Sequence, residues 1–383
     1  MFQKITIVLD TKSFIVYYYF NRILQSDTLQ INRCYRHREG LACMMQPSPT
    51  VRVVLFPKGV FSMLRNYLPT DESQLLRLWN TAAVTLGYAP LTGEKFAGLL
   101  TRHREFSPEF TFVLEENNEI LGFINGCAGD HIAGGEPVGY ISCLILAENA
   151  ENAENTALLL SALEDAFRKA GRLAVTVSYF NPIRLPWVMP GTGGHQHNNM
   201  PGMAVDIPLY ERLLSLGYRE TDREIGLHYD LANHVTPEWV EEKAAKMTAR
   251  GYTVARYDAS IHTGLDEMVA ALNNTMWSEE IPAAGKAGMD LLVGLKDNVC
   301  AGFTGPCYPE ETGRGYLAGV AVAPMYEGNG LGTLLFYRLL QREKKVGAKY
   351  MSIFTGINNH AKFIYFNAGF QIVRTFALMH KDL

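Results

Sequence analysis

One pattern of apolar and polar positions occurs twice along the chain. Residues 112–127 contain two apolar runs of high β-propensity around an Asn-Asn pair, and this arrangement predicts a β-hairpin. Residues 292–307 have the same arrangement, with Lys296-Asp297-Asn298 at the turn. The agreement extends position by position without gaps, which indicates two copies of one structural unit.

The repeat continues beyond the hairpins. In each half a Gly-Tyr pair opens an apolar run typical of a strand, and an amphipathic helical pattern follows. We therefore predict an α/β protein with two domains in tandem. The matched positions are Gly122-Phe123 with Gly302-Phe303, Cys127 with Cys307, Gly139-Tyr140 with Gly315-Tyr316, and Leu216-Gly217-Tyr218 with Ala368-Gly369-Phe370.

The second copy contains a glycine-rich turn. Residues 320–332 read Val-Ala-Val-Ala-Pro-Met-Tyr-Glu-Gly-Asn-Gly-Leu-Gly, between a predicted strand from Tyr316 to Val322 and an apolar helical pattern. Glycines let the backbone approach a ligand, and the free N–H groups of a first helical turn point towards it, so this order predicts a pyrophosphate site. A P-loop would need a lysine after the last glycine. A dinucleotide fold would need Gly-x-Gly-x-x-Gly and a later acidic residue, and neither pattern is present.

Two motifs resemble signatures of the GCN5-related N-acetyltransferase (GNAT) superfamily. The turn is similar to its acyl-CoA pyrophosphate motif, Gln/Arg-x-x-Gly-x-Gly/Ala, except that Glu327 stands at the first position. Residues 358–370 are similar to its second motif, Asn-x-x-Ala-x-x-x-Tyr-x-x-x-Gly-Phe, on a predicted short helix, a glycine and a strand from Gln371 to Leu378. The resemblance covers residues 250–383 best. It implies two GNAT-type domains, each with a mixed, central, twisted sheet flanked by helices.

The resemblance also implies a site in the second copy. In the superfamily the strand that ends here at Val322 bonds the pantetheine, and the N–H groups of the turn take the pyrophosphate of acetyl-CoA. Tyr365 is expected to protonate the departing thiolate, a step that contributes roughly 10²–10⁴-fold in rate, with a core aromatic as its alternative role. The base is unassigned: Glu310 and Glu311 are candidates through water, or solvated surface charges. The predicted cofactor-binding residues are Val320, Val322, Glu327, Gly328, Asn329, Gly330, Gly332, Thr333 and Asn358.

The first copy lacks these features. In the alignment Glu154 takes the place of Gly330, and Leu213 takes that of Tyr365. Thr156 stands where the second copy has its last glycine. Acidic residues are favoured at a helix N-terminus by its dipole, and there they would repel a pyrophosphate. We expect the first copy to bind acyl-CoA poorly and to catalyse nothing.

Composition and cysteine spacing favour a cytoplasmic protein. The 383 residues carry a formal net charge of −4, and no basic stripe with interleaved aromatics suggests a nucleic-acid partner. The apolar run from Phe14 to Phe20 is far shorter than the ~20 residues of a membrane span, so no membrane partner is predicted. The 6 cysteines form no Cys-x-x-Cys pair, which is typical of buried thiols in a reducing compartment. The oligomeric state is left open.

We predict four segments in the chain. They are an N-terminal extension at 1–62, a degenerate GNAT-like domain at 63–231, a linker helix at 232–249 and a catalytic GNAT domain at 250–383. The extension is basic and has no repeat partner, so we interpret it as poorly ordered. A segment upstream of the natural start and a small β appendage are the alternatives.

A proline- and glycine-rich segment, residues 181–203, interrupts the first copy. Packing against the other domain is the favoured role. An acceptor pocket lined by Trp187, His195, His197 and Asn198 comes second. A metal site comes last, because His-x-His offers two ligands and no third is near in the sequence, and we predict no metal.

The predicted function is transfer of an acetyl group from acetyl-CoA directly to a small amine, without an acyl-enzyme. An acidic chain favours a cationic acceptor. The alternative is a catalytically idle module that binds or senses acyl-CoA, which Glu327 and the missing strand carboxylate suggest. Transfer to a protein amine is a third reading.

Overall fold

The computed structural model describes residues 16–20, 31–37, 40–42, 52–55, 61–130, 132 and 137–383. Its helices are α1 Glu72–Leu78, α2 Gly93–Phe96, α3 Ala153–Lys169, α4 Pro208–Ser215, α5 Glu238–Thr248, α6 Leu265–Ala271, α7 Thr275–Lys286, α8 Leu331–Val346 and α9 Lys362–Asn367. The first strands are β1 Val16–Phe20, β2 Ile31–His37, β3 Gly40–Ala42, β4 Arg52–Leu55, β5 Phe61–Asn66, β6 Thr111–Glu116, β7 Glu119–Cys127, β8 Val138–Leu146 and β9 Ala174–Val177. The later strands are β10 Trp187–Val188, β11 Gln196–His197, β12 Met203–Ala204, β13 Arg219–Asp230, β14 Tyr252–Arg256, β15 Leu292–Lys296, β16 Val299–Gly305, β17 Gly319–Val322, β18 Tyr350–Gly356 and β19 Gln371–Asp382.

The chain forms two compact units that are not contiguous in sequence. The first unit consists of Met1–Leu185, Ile207–Glu220 and Met379–Leu383. The second unit consists of Pro186–Asp206 and Thr221–Leu378. The predicted domains are contiguous segments of the sequence, and their limits stay a prediction.

The first unit is built on a mixed sheet. Its strands follow the order β4, β5, β6, β7, β8, β9, and the last residues of β19 pair with β9. Neighbours are antiparallel except β8 and β9, which pair in parallel. Strands β1 to β3 form a separate antiparallel sheet. The interpretation of residues 1–62 as poorly ordered lies largely outside the described residues.

The second unit contains two sheets. One is antiparallel, in the order β14, β15, β16, β17, and the other follows the order β18, β13, β19. Helix α8 covers one face, where Phe336, Leu339 and Leu340 pack with Met351 and Ile353 of β18. Helices α6 and α7 pack against β15 and β16 in a separate apolar cluster. Each sheet is therefore covered by helices, as an α/β fold requires.

The repeated hairpins have the same geometry. Asn117 and Asn118 have φ of 51° and 65°, and Asp297 and Asn298 have φ of 50° and 67°, the left-handed pair of a type I′ turn. The pairing register shifts between Leu114 and Glu115 in the first hairpin and between Gly294 and Leu295 in the second. These are matched positions in the gapless alignment, so the copies share a β-bulge as well as a turn.

The predicted strand from Tyr316 to Val322 begins later than expected. In the structure β17 starts at Gly319, because the preceding backbone bonds elsewhere. The Gly315 N–H donates to the Tyr350 carbonyl at 2.8 Å, and the Tyr316 N–H donates to the Tyr308 carbonyl at 2.9 Å. The apolar pattern correctly predicts a strand here, but its first residues bond partners outside β16, and contact with β16 begins at the Ala318 N–H, which donates to the Gly305 carbonyl at 2.9 Å.

Among the described residues, no helix combines the length and the apolar character needed to cross a bilayer.

Candidate functional site

An opening lies between β17 and β18 in the second unit. The chain before β17 touches β18 at a single parallel bridge, Arg314 to Tyr350. Beyond it, within the described residues, β17 pairs only with β16, and β18 pairs only with β13. Each strand therefore has one edge without a strand partner at the opening, although the Ser352 carbonyl of β18 accepts hydrogen bonds from the Arg314 guanidinium at 3.3 Å. Such edges can hydrogen-bond an extended ligand that carries amides.

The glycine-rich turn stands at the end of β17. After a 3₁₀ turn at Pro324–Tyr326 the backbone extends through Glu327 and becomes left-handed at Gly328 and Gly330, where φ is 73° and 84°. Gly330 is the N-cap of α8, and within the described residues no side chain caps the N–H groups of that helix's first turn. These donors and the positive end of the helix dipole point out of the turn, which is the arrangement that binds anions.

The Asn329 side chain braces this turn. Its amide nitrogen donates to the Tyr326 carbonyl at 3.2 Å and to the Glu327 carbonyl at 3.3 Å. Its Oδ1 accepts a hydrogen bond from the Arg250 guanidinium. The side chain of Asn329 thus forms hydrogen bonds within the protein, so a ligand at this turn would contact mainly its backbone.

A lysine lies against the same turn. A Cβ placed on Gly330 would be 2.5 Å from the Lys243 Nζ, so the ammonium group occupies the space that a side chain at position 330 would take. Lys243 belongs to α5, which packs beside α8 through buried Val240 and Met247. The turn is therefore flanked by two cations from outside its own sequence.

Tyr365 lies on α9 beside the core of the second unit. Its ring packs against Phe336 and Phe370, with centroid distances of 4.8 Å and 6.2 Å. Burial raises the pKa of its phenol to about 12, and the hydroxyl has no hydrogen-bond partner within the described residues. Asn358 is exposed in the turn before α9. The neighbouring Asn359 makes the local bonds there, accepting from the Ala361 N–H at 2.9 Å.

The model of the acetyltransferase (GNAT) family matches the chain twice, over residues 77–185 and 261–370. Together these matches cover more than half of the 383 residues. The chain belongs to the GNAT acetyltransferase family. Each match covers one of the two copies, so the prediction of a tandem GNAT arrangement is confirmed.

Solved structures similar to this chain are GNAT proteins too. A GCN5-related glucosamine N-acetyltransferase region of a fungal multi-domain GH3 β-N-acetylglucosaminidase aligns with a TM-score of 0.62 and 17% identity, over 84% of this chain and 38% of that chain. A GNAT protein from Sphaerobacter thermophilus aligns with a TM-score of 0.57 and 13% identity, over 84% and 95%. A tandem GNAT protein from the clavulanic acid biosynthesis pathway aligns with a TM-score of 0.51 and 15% identity, over 82% and 95%. At these identities the likeness shows the fold. No curated protein matches the sequence.

The two GNAT copies differ at the helix after the turn. In the first copy the Asn152 side chain caps α3 by accepting from the Asn155 N–H at 2.8 Å. Asn155 in turn donates to the Ala150 carbonyl, and Thr156 donates to the Asn152 carbonyl at 2.7 Å. The N-terminus of α3 is thus capped by nearby side chains, whereas the N-terminus of α8 has no side-chain cap among the described residues. Glu154 is exposed there, and Leu213 is buried in α4.

An aromatic and acidic cluster flanks β17 on the side of α7. The Trp277 indole N–H donates to the Ala318 carbonyl at 3.0 Å, and the ring lies where a side chain of Gly319 would otherwise project, 2.6 Å from such a Cβ. The Tyr316 hydroxyl bonds the Glu280 carboxylate. Tyr308 stacks on Tyr316, with ring centroids 4.7 Å apart. These groups lie at the end of the opening away from the glycine turn.

Residues 186–203 of the proline-rich segment belong to the second unit. The His195 ring stacks on Tyr350 at 3.8 Å and shares a hydrogen bond of 2.9 Å with His228. Trp187 is buried against Phe376, and His197 is also buried. Among the described residues, no group of three or more His, Cys, Asp or Glu side chains could hold a metal ion.

Glu310 is held in an ion pair. Its carboxylate accepts from the buried Arg314 guanidinium at 3.0 Å and from the Asn198 amide at 2.8 Å. Glu310 is therefore part of a polar network with Arg314 and Asn198 and is not a freely solvated charge. Glu311 is exposed.

Two carboxyl groups that sequence reasoning missed are buried in the second unit. Glu343 on α8 is fully buried beside Cys307, and burial raises its pKa to about 8. Glu224 on β13 lies opposite Gly356 of β18, and burial raises its pKa to about 7. No motif marks either residue. The only local signal is a glutamate among apolar neighbours on an amphipathic element.

Proposed function

We propose that the second GNAT copy transfers the acetyl group of acetyl-CoA directly to the nitrogen of a small amine. The observation that carries the proposal is the combination of two diverging strand edges with an uncapped glycine turn at the end of one of them. The edge of β17 that does not pair with β16 suits the amides of pantetheine, around Val320 and Val322. The N–H groups from Gly328 to Thr333 suit the pyrophosphate.

The chemistry needs a proton donor at the sulfur. The amine nitrogen attacks the thioester carbonyl carbon, and collapse of the tetrahedral intermediate breaks the C–S bond. The attacking nitrogen loses one proton to solvent, the thiolate gains one from the Tyr365 hydroxyl, and the resulting tyrosinate regains a proton from solvent, so the protons balance. A phenol with a pKa of about 12 is protonated at neutral pH, so it is available as this donor. The products are the N-acetyl amine and CoA.

The cluster beside β17 favours a cationic acceptor. Trp277 and Tyr308 supply aromatic rings, and Glu280 supplies a carboxylate, which are the groups that attract an ammonium ion. One structural neighbour is described as a glucosamine N-acetyltransferase region, so amino sugars belong in any test panel beside polyamines and amino acids.

The test is release of free thiol from acetyl-CoA in the presence of each amine. We expect amine-dependent release, and we expect Tyr365→Phe to lower kcat by roughly 10²–10⁴-fold while the KM for acetyl-CoA stays the same. Tyr337→Phe is the matched control, because Tyr337 is a buried tyrosine of α8 with no partner for its hydroxyl among the described residues.

Binding of acetyl-CoA without thiol release for any amine would instead support the sensor alternative. Equal kcat in the wild type and Tyr365→Phe would remove Tyr365 from the mechanism while leaving the transferase assignment intact.

A further inference from the structure

We infer that Lys243 and Arg250, from helix α5 and the residues that follow it, bind the phosphate groups of the cofactor at the glycine turn. They would supply the positive charge that position 327 lacks. The inference rests on the proposed function, since it names residues that would recognise acetyl-CoA at the same site. Neither residue belongs to a GNAT signature.

The turn itself is short of positive charge. Glu327 places an exposed carboxylate where the superfamily pattern has Gln or Arg. A carboxylate a few ångströms from a pyrophosphate repels it, and the backbone N–H groups alone must then overcome that repulsion. A nearby cation would offset this charge.

Lys243 is placed to be that cation. Its ammonium group lies over Gly330, at the N-cap of α8, where a side chain would exclude it. Within the described part of the chain Lys243 makes no ion pair and no hydrogen bond. An ammonium group without a carboxylate partner, held at a row of free N–H donors, leaves all three of its own donors for an anion.

Arg250 approaches the turn from the other end of α5. One of its N–H groups bonds the Asn329 side chain, and its guanidinium lies over the Tyr252 ring, 5.7 Å from the centroid. Guanidinium has five donors, so this bond leaves others for a phosphate.

Packing fixes both cations relative to α8. Val240 and Met247, one heptad apart on α5, are buried against the same apolar cluster as Leu331 and Leu334 of α8. The Arg338 guanidinium bonds both carboxylate oxygens of Glu241, at 2.6 Å and 2.8 Å. A helix held along its length in this way keeps the backbone of Lys243 at a constant position beside the turn, so binding does not have to order α5.

The test compares Lys243→Ala and Arg250→Gln with the wild type and with Lys345→Ala. Lys345 is exposed in the last turn of α8, about 21 Å along the helix from its start, and its removal changes the net charge equally. Isothermal calorimetry with acetyl-CoA should show about tenfold weaker binding for each α5 variant and no change for Lys345→Ala. The loss should shrink at high salt, because exposed charges are screened.

An acetyl donor that lacks phosphate groups distinguishes a loss of phosphate recognition from a structural effect of the substitution. With S-acetylpantetheine, kcat/KM should be the same in the wild type and Lys243→Ala. Equal acetyl-CoA affinity in the wild type and both α5 variants would overturn the inference and leave the proposed function standing, as would an equal loss with S-acetylpantetheine. A wild-type protein that does not bind acetyl-CoA would overturn both.

Discussion

At Gly330 the absence of a side chain has two consequences. The backbone there has φ of 84°, which costs an L-residue roughly 1–2 kcal/mol, and it is this conformation that turns the chain into α8. The missing Cβ also leaves the space in which the Lys243 ammonium lies. The sequence pattern predicts the first consequence from the spacing of the glycines. It does not reveal the second, because Lys243 is 87 positions away and only packing brings it near.

The buried carboxyl group of Glu343 should make the stability of the protein depend on pH. Its pKa is about 8 in the folded protein, because burial disfavours the carboxylate, and about 4.3 in an unfolded chain. Between these values the unfolded state ionises while the folded state must keep the proton. The free energy of unfolding should therefore fall as pH rises from about 4.5 to 8, by up to about 1.4 kcal/mol per pH unit.

Glu343→Gln removes this dependence, since the amide does not ionise. We expect the urea midpoint of the variant to exceed that of the wild type by an amount that grows from pH 5 to pH 8. Glu327→Gln, at an exposed carboxyl, is the control and should leave the curve unchanged. Parallel wild-type and Glu343→Gln curves over that range would contradict the assignment of Glu343 as a buried, neutral acid.

At the scale of elements, the contrast is between the starts of α3 and α8. Each helix follows a strand, β8 or β17, and a short 3₁₀ turn, at Glu148–Ala150 and Pro324–Tyr326. The first is closed by Asn152 and the second is left open by Gly330. The same strand–turn–helix unit thus has a capped helix N-terminus at α3 in the first copy. In the second copy it has an uncapped N-terminus at α8 that suits an anion.

Asn152→Ala should lower the free energy of unfolding by about 1 kcal/mol, because the N–H of Asn155 loses its acceptor, whereas Asn152→Gly should cost only a few tenths. Chemical denaturation checks both values. Neither variant should give the first unit any affinity for acetyl-CoA, because no glycine turn and no cations replace the cap. A second acetyl-CoA site appearing in Asn152→Ala would mean that the cap alone had blocked it.

Individual elements show how far sequence could predict this structure. The hairpin turns at Asn117-Asn118 and Asp297-Asn298, helix α8 and the strand after Gly369 follow from local pattern, and the structure confirms them. The contacts of the proline-rich segment and the position of α5 do not follow, because both depend on partners distant in the chain. Trp187, for instance, becomes a core residue only through β19, at Phe376.

At the scale of the whole molecule, two GNAT copies are expected to contribute one cofactor site. The first unit has the sheet and the helix of the family but a closed helix start, while the second has the diverging edges, the open turn and Tyr365. We therefore predict that each chain binds one acetyl-CoA, at the glycine turn before α8.

The most direct test is calorimetric titration of acetyl-CoA into the wild type, Gly330→Glu and Gly347→Glu. Gly347 ends the same helix with φ of 97° and open space around it, so its variant carries the same backbone strain and the same added charge away from the turn. We predict one site in the wild type, one site of equal affinity in Gly347→Glu and none in Gly330→Glu. Undiminished binding in Gly330→Glu, or no binding in the wild type, would contradict the placement of the cofactor at this turn.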